Sequence, residues 1–141
     1  MTGFPLEREI RAAEKRLCGY VNDERTKRDL GPLQFVERLA DAARMHSIRM
    51  MTRDFFSHQD PDFGNLQMRL QDAGIVWARC AENIFHSYGW EDPLRLAVIH
   101  WMTSPGHREN ILLPDVTMTG IGIARKPGDH WYLTQMFLGV R

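Results

Sequence analysis

The sequence predicts an α+β fold, in which helices occupy the first two thirds of the chain and a short antiparallel sheet lies at its end. Three observations indicate this fold. Apolar residues recur at helical spacing in the N-terminal third, Pro and Gly divide the chain into short segments, and two extended runs flank a Pro-Gly turn near the C-terminus. At 141 residues the chain has the length of one domain, so residues 1–141 are expected to fold as a single unit.

Two long amphipathic helices are predicted in the N-terminal third. The first is expected over residues 5–28, because Pro5 suits the first position of a helix. Its apolar face consists of Leu6, Ile10, Ala13, Leu17 and Val21. The second is expected over residues 33–53, with Pro32 at its start. Its apolar stripe consists of Val36, Leu39, Ala40, Ala43 and Met50. His46 lies on the same stripe and is therefore predicted to be a hydrogen-bonded core histidine.

Turns and short elements alternate in the middle of the chain. Residues 60–64 are predicted to form a turn, and residues 66–73 a short helix that ends before a glycine. Residues 81–86 are expected to be extended. Asp92 before Pro93 is typical of a helix start, and residues 104–106, Ser-Pro-Gly, are expected to end that helix.

The C-terminal part predicts a β-hairpin. Residues 120–124 and 131–137 are extended runs on either side of Lys126–Asp129, whose Pro-Gly pair favours a turn. Each long helix has an apolar stripe to bury, so the sheet is expected to be covered on both faces.

Composition excludes several classes of protein. Lys and Arg number 18 and balance 18 Asp and Glu, so no overall field attracts nucleic acid. Arg25, Lys27 and Arg28 alternate with acidic residues, and we interpret them as a solvated helix face.

No apolar stretch is long enough to span a membrane. Residues 1–10 lack the apolar core of a signal peptide, so the protein either stays inside the cell or is the mature part of a longer product.

The two cysteines give little information about function. Cys18 and Cys80 lie 62 positions apart and belong to no CxxC pair, so they do not indicate a zinc or redox motif. We expect two free thiols rather than a disulfide.

Eight short motifs, taken together and in order, resemble the CAP superfamily, which groups cysteine-rich secretory proteins, venom allergens and pathogenesis-related proteins. The Ser-Pro-Gly-His-Arg run is similar to that of its bacterial branch. The resemblance extends over residues 15–139. The motifs are Tyr20-Val21-Asn22-x-x-Arg25, Leu33, Ala43-Arg44-x-His46-Ser47-x-x-Met50, Phe56-x-His58, Glu82-Asn83-Ile84, Trp101-x-x-Ser104-Pro105-Gly106-His107-Arg108-x-Asn110-Ile111-Leu112, Gly120-Ile121-Gly122 and Thr134-Gln135-x-Phe137.

The resemblance implies an α-β-α sandwich, in which a small antiparallel sheet lies between helical layers. It also implies a cleft that, in eukaryotic members, holds two His and two Glu and can bind a divalent metal such as zinc. His58 matches the first His and Glu82 matches one Glu. Ser104 stands where the second Glu is expected, and Tyr132 stands where the second His is expected, so the full tetrad is absent.

The incomplete tetrad leaves two interpretations of the site. His107 could be a third ligand beside His58 and Glu82, which predicts a weak site for zinc or another divalent metal; His130 is the other nearby imidazole. Alternatively, His58 and Glu82 form a hydrogen-bonded pair on the floor of a polar cavity, facing one another across the cleft, with His107 at its rim. The expected cleft residues are His58, Glu82, His107, Ser104, Tyr132 and Gln135.

Two functions are consistent with these residues. The favoured one is a non-catalytic extracellular binding module whose cleft takes a small apolar ligand, a lipid or a peptide. The alternative is a metal-assisted hydrolase or protease in which His58 or Glu82 activates a water molecule. The resemblance also implies secretion, although a cytoplasmic location is not excluded by the sequence. A monomer that binds no nucleic acid is expected.

Overall fold

The computed structural model describes residues 4–140, with side chains from residue 7 onward, and shows an α+β fold of three layers. The predicted roles of the Pro5 and Leu6 side chains lie outside this part. In chain order the elements are α1 Phe4–Thr26, β1 Gln34–Phe35, α2 Glu37–Arg53, α3 Leu66–Asp72, β2 Arg79–Tyr88, α4 Pro93–Thr103, α5 Pro105–Ile111, β3 Met118–Lys126 and β4 His130–Gly139.

The sheet has the strand order β1-β3-β4-β2. The C-terminal hairpin is confirmed, because β3 and β4 pair antiparallel from Met118 opposite Leu138 to Lys126 opposite His130. β2 pairs antiparallel with the other side of β4. The sheet is nevertheless mixed rather than antiparallel, because β1 pairs parallel with the start of β3. The expected all-antiparallel sheet was therefore wrong at one edge.

Two predicted helix boundaries also differ from the structure. Pro32 does not begin α2, because the chain first makes β1 and Val36 is still extended, so the helix starts at Glu37. Residues 104–106 do not simply end a helix. α4 ends at Thr103, and Pro105 then occupies the first position of a further helix, α5, where its missing N–H costs nothing.

Helices cover both faces of the sheet, as expected. Because side chains alternate along a strand, each strand contributes one set of residues to each face. On one face, Leu133 and Phe137 pack with the apolar sides of α1, α4 and α5. On the other face, Met136 and Leu138 pack with α2 and α3.

α2 lies unusually close to β3. A Cβ atom placed on Gly120 would overlap the backbone of Leu39 and Ala40, and one placed on Gly122 would overlap the backbone of Ala43 and Arg44. The two glycines therefore let the helix axis approach the strand directly, which brings Ser47 within 2.8 Å of the Gly122 carbonyl oxygen as a hydrogen-bond donor.

Side chains satisfy backbone polar groups that no neighbouring strand covers. β1 pairs only with Met118 and Thr119 of β3. Further along β3, the buried carboxylate of Glu14 accepts a hydrogen bond from the Ile123 backbone N–H and two from the Arg44 guanidinium. At the β2 edge, Trp101 donates to the Ile84 carbonyl oxygen and Asn110 to that of Glu82. These contacts occupy backbone groups that would otherwise be open to another strand.

Arg25 is buried and does not belong to a solvated face, which corrects the sequence interpretation. Its guanidinium donates hydrogen bonds to the carbonyl oxygens of Gly31, Ile111 and Leu113. The side chain thereby ties the end of α1 to the end of α5. Lys27 and Arg28 lie in the turn after α1, where they are solvent-exposed and pair with Glu24.

Cys18 is buried and Cys80 is half-buried, and both are free thiols, as expected. Burial raises the pKa of Cys18 to about 11. Among the helices of residues 4–140, none is both long enough and apolar enough to cross a membrane.

Candidate functional site

His58 and Glu82 lie in direct contact, which confirms the predicted pairing across 24 positions of sequence. The His58 Nδ1 atom is 2.9 Å from Oε1 of Glu82. Glu82 projects from β2 towards the layer of α2 and α3, and its side chain is only 2% exposed. His58 comes from the loop between α2 and α3, and its side chain is 54% exposed. The pair therefore joins a buried carboxylate to an imidazole at the surface.

The loop that carries His58 is held by a tight turn at residues 60–64, as predicted. The backbones of Asp60 and Gly64 exchange two hydrogen bonds, at 2.9 and 3.0 Å. The Asp60 carboxylate also accepts hydrogen bonds from the backbone N–H groups of Asp62 and Phe63. Gly64 has a φ of 84°, which favours glycine at this position. These bonds fix the loop from within.

Arg69 is the central residue of the site that the sequence analysis missed. From α3 it donates two 2.8 Å hydrogen bonds to the Glu82 carboxylate, one to each oxygen. It donates a third, also of 2.8 Å, to the carbonyl oxygen of His58. Its side chain is 4% exposed. A signal was present, because Arg69 lies beside Leu66 and Leu70 on the face that α3 buries, where a charged residue needs a partner.

The charge state of Glu82 follows from these neighbours. Burial by itself raises the pKa of the Glu82 carboxyl, but hydrogen bonds from His58 and Arg69 and the charge of Arg69 outweigh burial, so the pKa lies below its usual value. An ionised carboxylate only accepts hydrogen bonds, so Nδ1 of His58 carries the proton in this pair. The Nε2 atom of a neutral His58 is then left as a hydrogen-bond acceptor.

His46 is a buried, hydrogen-bonded core histidine, as predicted. It is fully buried, and its Nε2–H donates to the Ser57 carbonyl oxygen at 2.9 Å. Its Nδ1 atom has no hydrogen-bond partner among the described residues. Burial lowers the pKa of His46, although the charge of Glu82 acts in the opposite direction. His46 is therefore held in its neutral form.

The other expected cleft residues do not converge on His58 and Glu82. Ser104 and His107 hydrogen-bond one another at 2.8 Å at the start of α5. Burial lowers the pKa of His107, and the charges of His100 and His58 lower it further. The His107 ring contacts that of His100, with centroids 5.6 Å apart, and its Nδ1 bonds Ser104 rather than Glu82.

Tyr132 and Gln135 of β4 lie apart from the pair for two different reasons: Tyr132 pairs with His86, four positions along β2 from Glu82, and Gln135 faces the other side of the sheet. Tyr132 shares the face of Glu82 but stacks on His86, with ring centroids 4.1 Å apart. Gln135 lies on the opposite face, fully buried, and donates to the Thr119 hydroxyl. His130 stacks with His86 at 5.8 Å. The expectation of one cleft lined by all six residues was wrong, because positions 132 and 135 face opposite sides of the sheet.

The residues present do not fit the divalent metal that the resemblance implies. Both Glu82 oxygens already accept hydrogen bonds from Arg69, and Oε1 accepts another from His58. His107 bonds Ser104 instead of joining them. In the described part of the chain, no three His, Cys, Asp or Glu side chains are grouped so that they could hold a metal ion. The expected ligand set His58, Glu82 and His107 is not assembled.

A groove of about 320 Å³ opens beside Arg69, between α2 and α3. Met45 and Phe63 are partly exposed there, and the guanidinium of Arg49 lies 3.7 Å above the Phe63 ring. The groove is lined by Ala42, Met45, Arg49, Phe63, Arg69, Asp72 and Ala73. It offers an apolar wall with charged groups at its margin, next to the Arg69–Glu82 pair.

Comparison with known proteins relates most of the chain to one family. A sequence model of the family described as "CAP: Cysteine-rich secretory protein family" matches residues 18–137. Uncharacterized protein YkwD of Bacillus subtilis (strain 168) is 38% identical over 130 residues, which are 92% of this chain and 48% of that protein.

Solved structures have the same fold. An extracellular protein containing a SCP domain, from Bacillus anthracis, superposes with a TM-score of 0.89 and 27% identity, over 99% of this chain and 44% of that chain. An outer surface protein from Borrelia burgdorferi superposes with a TM-score of 0.80 and 20% identity, over 92% of this chain and 94% of that chain. This chain therefore spans less than half of the two Bacillus proteins and most of the Borrelia protein.

Proposed function

The chain belongs to the CAP, or cysteine-rich secretory protein, family, and we propose that its function is to bind a small ligand with an apolar body, a lipid or an apolar peptide, without catalysing a reaction. The observation that supports this proposal is the groove between α2 and α3. We place the module outside the cytoplasm and acting as a monomer. The solved Bacillus anthracis relative is described as extracellular, which supports that location.

The groove has the character of a small-molecule site. Its volume of about 320 Å³ falls at the lower end of ligand pockets. Met45 is 46% exposed on its wall, and Phe63 presents a ring that Arg49 covers on one side. A ligand that covered these two apolar side chains would remove them from water, which is the main source of binding free energy at such a site.

The contacts of the Arg69–Glu82 pair beside the groove favour binding over catalysis. The Glu82 carboxylate is buried and held on both oxygens by Arg69, so it is not free to take a proton from water. Ser104 is hydrogen-bonded to His107, and this pair lies at the start of α5 rather than beside the groove. These contacts fill the positions that a hydrolase would need to keep open.

One observation favours the alternative, a hydrolase that works without a metal. Glu82 holds the Nδ1–H of His58, which leaves Nε2 of the exposed imidazole to accept a proton. A histidine oriented by a carboxylate is a common general base. No hydroxyl nucleophile contacts His58 within the described residues.

Binding of a dansyl-labelled fatty acid, followed by fluorescence and by displacement with an unlabelled fatty acid or an apolar tripeptide, tests the proposal. Met45→Glu places a charge on the groove wall and should weaken binding by roughly tenfold or more. Ile99→Glu is the matched control, because Ile99 is an exposed apolar residue of α4, outside the groove. Equal loss in both variants, or no saturable binding, would contradict the proposal. Ester or peptide hydrolysis that His58→Ala abolishes would instead support the hydrolase.

A further inference from the structure

Arg69 neutralises the buried carboxylate of Glu82. Its guanidinium spans both carboxylate oxygens at 2.8 Å, and neither partner is accessible to solvent. The fork geometry of Arg matches a carboxylate with two parallel hydrogen bonds. The negative charge of Glu82 is thereby balanced by a side chain of the same domain.

The same guanidinium also positions His58, the hydrogen-bond partner of Glu82. It donates to the carbonyl oxygen of His58, and its Nε lies 3.4 Å from the carbonyl oxygen of Gly64. Both ends of the loop segment that carries the imidazole are thus attached to the residue that holds the carboxylate. Metal ions do this in other sites by ligating both groups; here the attachment consists of hydrogen bonds.

A divalent cation is disfavoured in this arrangement. Of the roughly four lone-pair sites on the Glu82 carboxylate, three already accept hydrogen bonds, two from Arg69 and one from His58. It would also bring a second positive charge within a few ångströms of a buried guanidinium, where repulsion is little screened.

We infer that Arg69 is a built-in replacement for the divalent metal that the family resemblance implies, and that it acts as the positioning residue for His58. The site is therefore independent of metal, with one defined imidazole tautomer. This inference concerns the chemistry of the Glu82 pair and does not depend on whether the neighbouring groove binds a ligand.

The test combines a metal titration with a direct observation of the imidazole. Nitrogen-15 NMR of the His58 ring reports its tautomer, and calorimetry with Zn²⁺ reports affinity. In the wild type, the His58 signals should indicate Nδ1–H and should change neither with a chelator nor with equimolar Zn²⁺. Arg69→Met removes the bonds that attach the His58 loop, so the His58 signals should show averaged tautomers. It also frees oxygens of Glu82 and should raise Zn²⁺ affinity by roughly tenfold or more. Arg69→Lys retains the charge and should keep Zn²⁺ affinity at the wild-type level.

Controls separate this result from adventitious binding and from misfolding. In Arg69→Met/Glu82→Gln the gain in Zn²⁺ affinity should disappear, because the carboxylate is gone. This double variant buries neither charge, so it should fold even if Arg69→Met does not, and its His58 signals should show averaged tautomers. Stoichiometric Zn²⁺ binding at His58 in the wild type would overturn the inference. So would an unchanged tautomer and Zn²⁺ affinity in Arg69→Met, or a single Nδ1–H tautomer in the double variant.

Discussion

Trp101 donates its indole N–H to the carbonyl oxygen of Ile84 at 3.0 Å, so that a fully buried side chain of α4 occupies a hydrogen-bonding position on the edge strand β2. The ring at the same time packs edge-on against Phe85. One side chain thus contributes to the core and satisfies the sheet edge.

Trp101→Phe should lower the free energy of unfolding by about 2–3 kcal/mol, because it leaves a cavity and an unsatisfied carbonyl oxygen at Ile84. Urea unfolding followed by circular dichroism measures the change. Trp90→Phe is the matched control. Trp90 is exposed, so this substitution should lower the free energy of unfolding by less than about 0.5 kcal/mol. Equal effects of the two substitutions would contradict the importance of the buried hydrogen bond.

Arg25→Met should destabilise the domain by about 3 kcal/mol or more, because three carbonyl oxygens, of Gly31, Ile111 and Leu113, lose their donor inside the protein. Arg28→Met, in the turn that follows α1, removes only exposed contacts with Glu24 and should cost less than about 0.5 kcal/mol. Thermal or urea unfolding distinguishes the two. If Arg28→Met were as costly as Arg25→Met, the proposed clamp between α1 and α5 would be wrong.

Gly122→Ala should be among the most damaging small substitutions in the chain. The added methyl group would overlap the backbone of Arg44, and a helix backbone cannot move aside locally, so α2 would have to separate from β3. We expect a loss of at least about 3 kcal/mol, or failure to fold. Gly19→Ala is the opposite control, because Gly19 is exposed within α1 with open space around it, and alanine there should stabilise by about 0.5–1 kcal/mol. If the unfolding midpoint fell in Gly19→Ala as it does in Gly122→Ala, this explanation of the two glycines would be wrong.

Stability should fall as the pH drops below about 6.5, and His46 should account for part of the loss. Burial lowers the pKa of His46 in the folded state, so in that range the unfolded chain binds a proton that the folded protein does not. This destabilisation by His46 is absent above the pKa that His46 has in the unfolded chain. It grows as the pH falls towards the pKa of His46 in the folded protein, by at most about 1.4 kcal/mol per pH unit.

His46→Leu should therefore show a shallower pH dependence of unfolding between pH 7 and pH 5 than the wild type. The stability difference at pH 8 gives the part of the effect that does not depend on protonation, which includes the lost hydrogen bond to Ser57 and the changed packing. Glu82 does not interfere, since its folded pKa lies below the ordinary value of 4.5 and its effect begins at lower pH. Parallel pH profiles for the two proteins would exclude this role of His46.

The parts of the fold that could be predicted are those set by local pattern. The hairpin followed from two extended runs and a Pro-Gly turn, and the long helices followed from their apolar spacing. β1 could not be predicted, because two residues make a strand only when β3 lies beside them. Pro105 was ambiguous, since proline after a helix suits both the end of one helix and the start of the next.

The site was only partly predictable. The resemblance brought His58 and Glu82 together, yet the residue that holds them, Arg69, comes from an element whose position depends on packing across the whole domain. One error was avoidable. Tyr132 and Gln135 are three positions apart in a strand, and an odd spacing places two side chains on opposite faces. A period-two argument would have removed Gln135 from the expected cleft.

The strand order has a consequence for synthesis on the ribosome. Within this domain, β3 and β4 follow β1 and β2 in sequence but lie in the centre of the sheet, so neither β1 nor β2 has a neighbouring strand until they are synthesised. Glu14 of α1 likewise precedes Ile123, whose backbone N–H donates to it, by 109 residues. The nascent polypeptide therefore cannot complete a smaller native unit along the way. A premature stop codon before residue 130 would release a product that lacks the middle of its sheet, and such a fragment would be a substrate for proteases rather than a shortened domain.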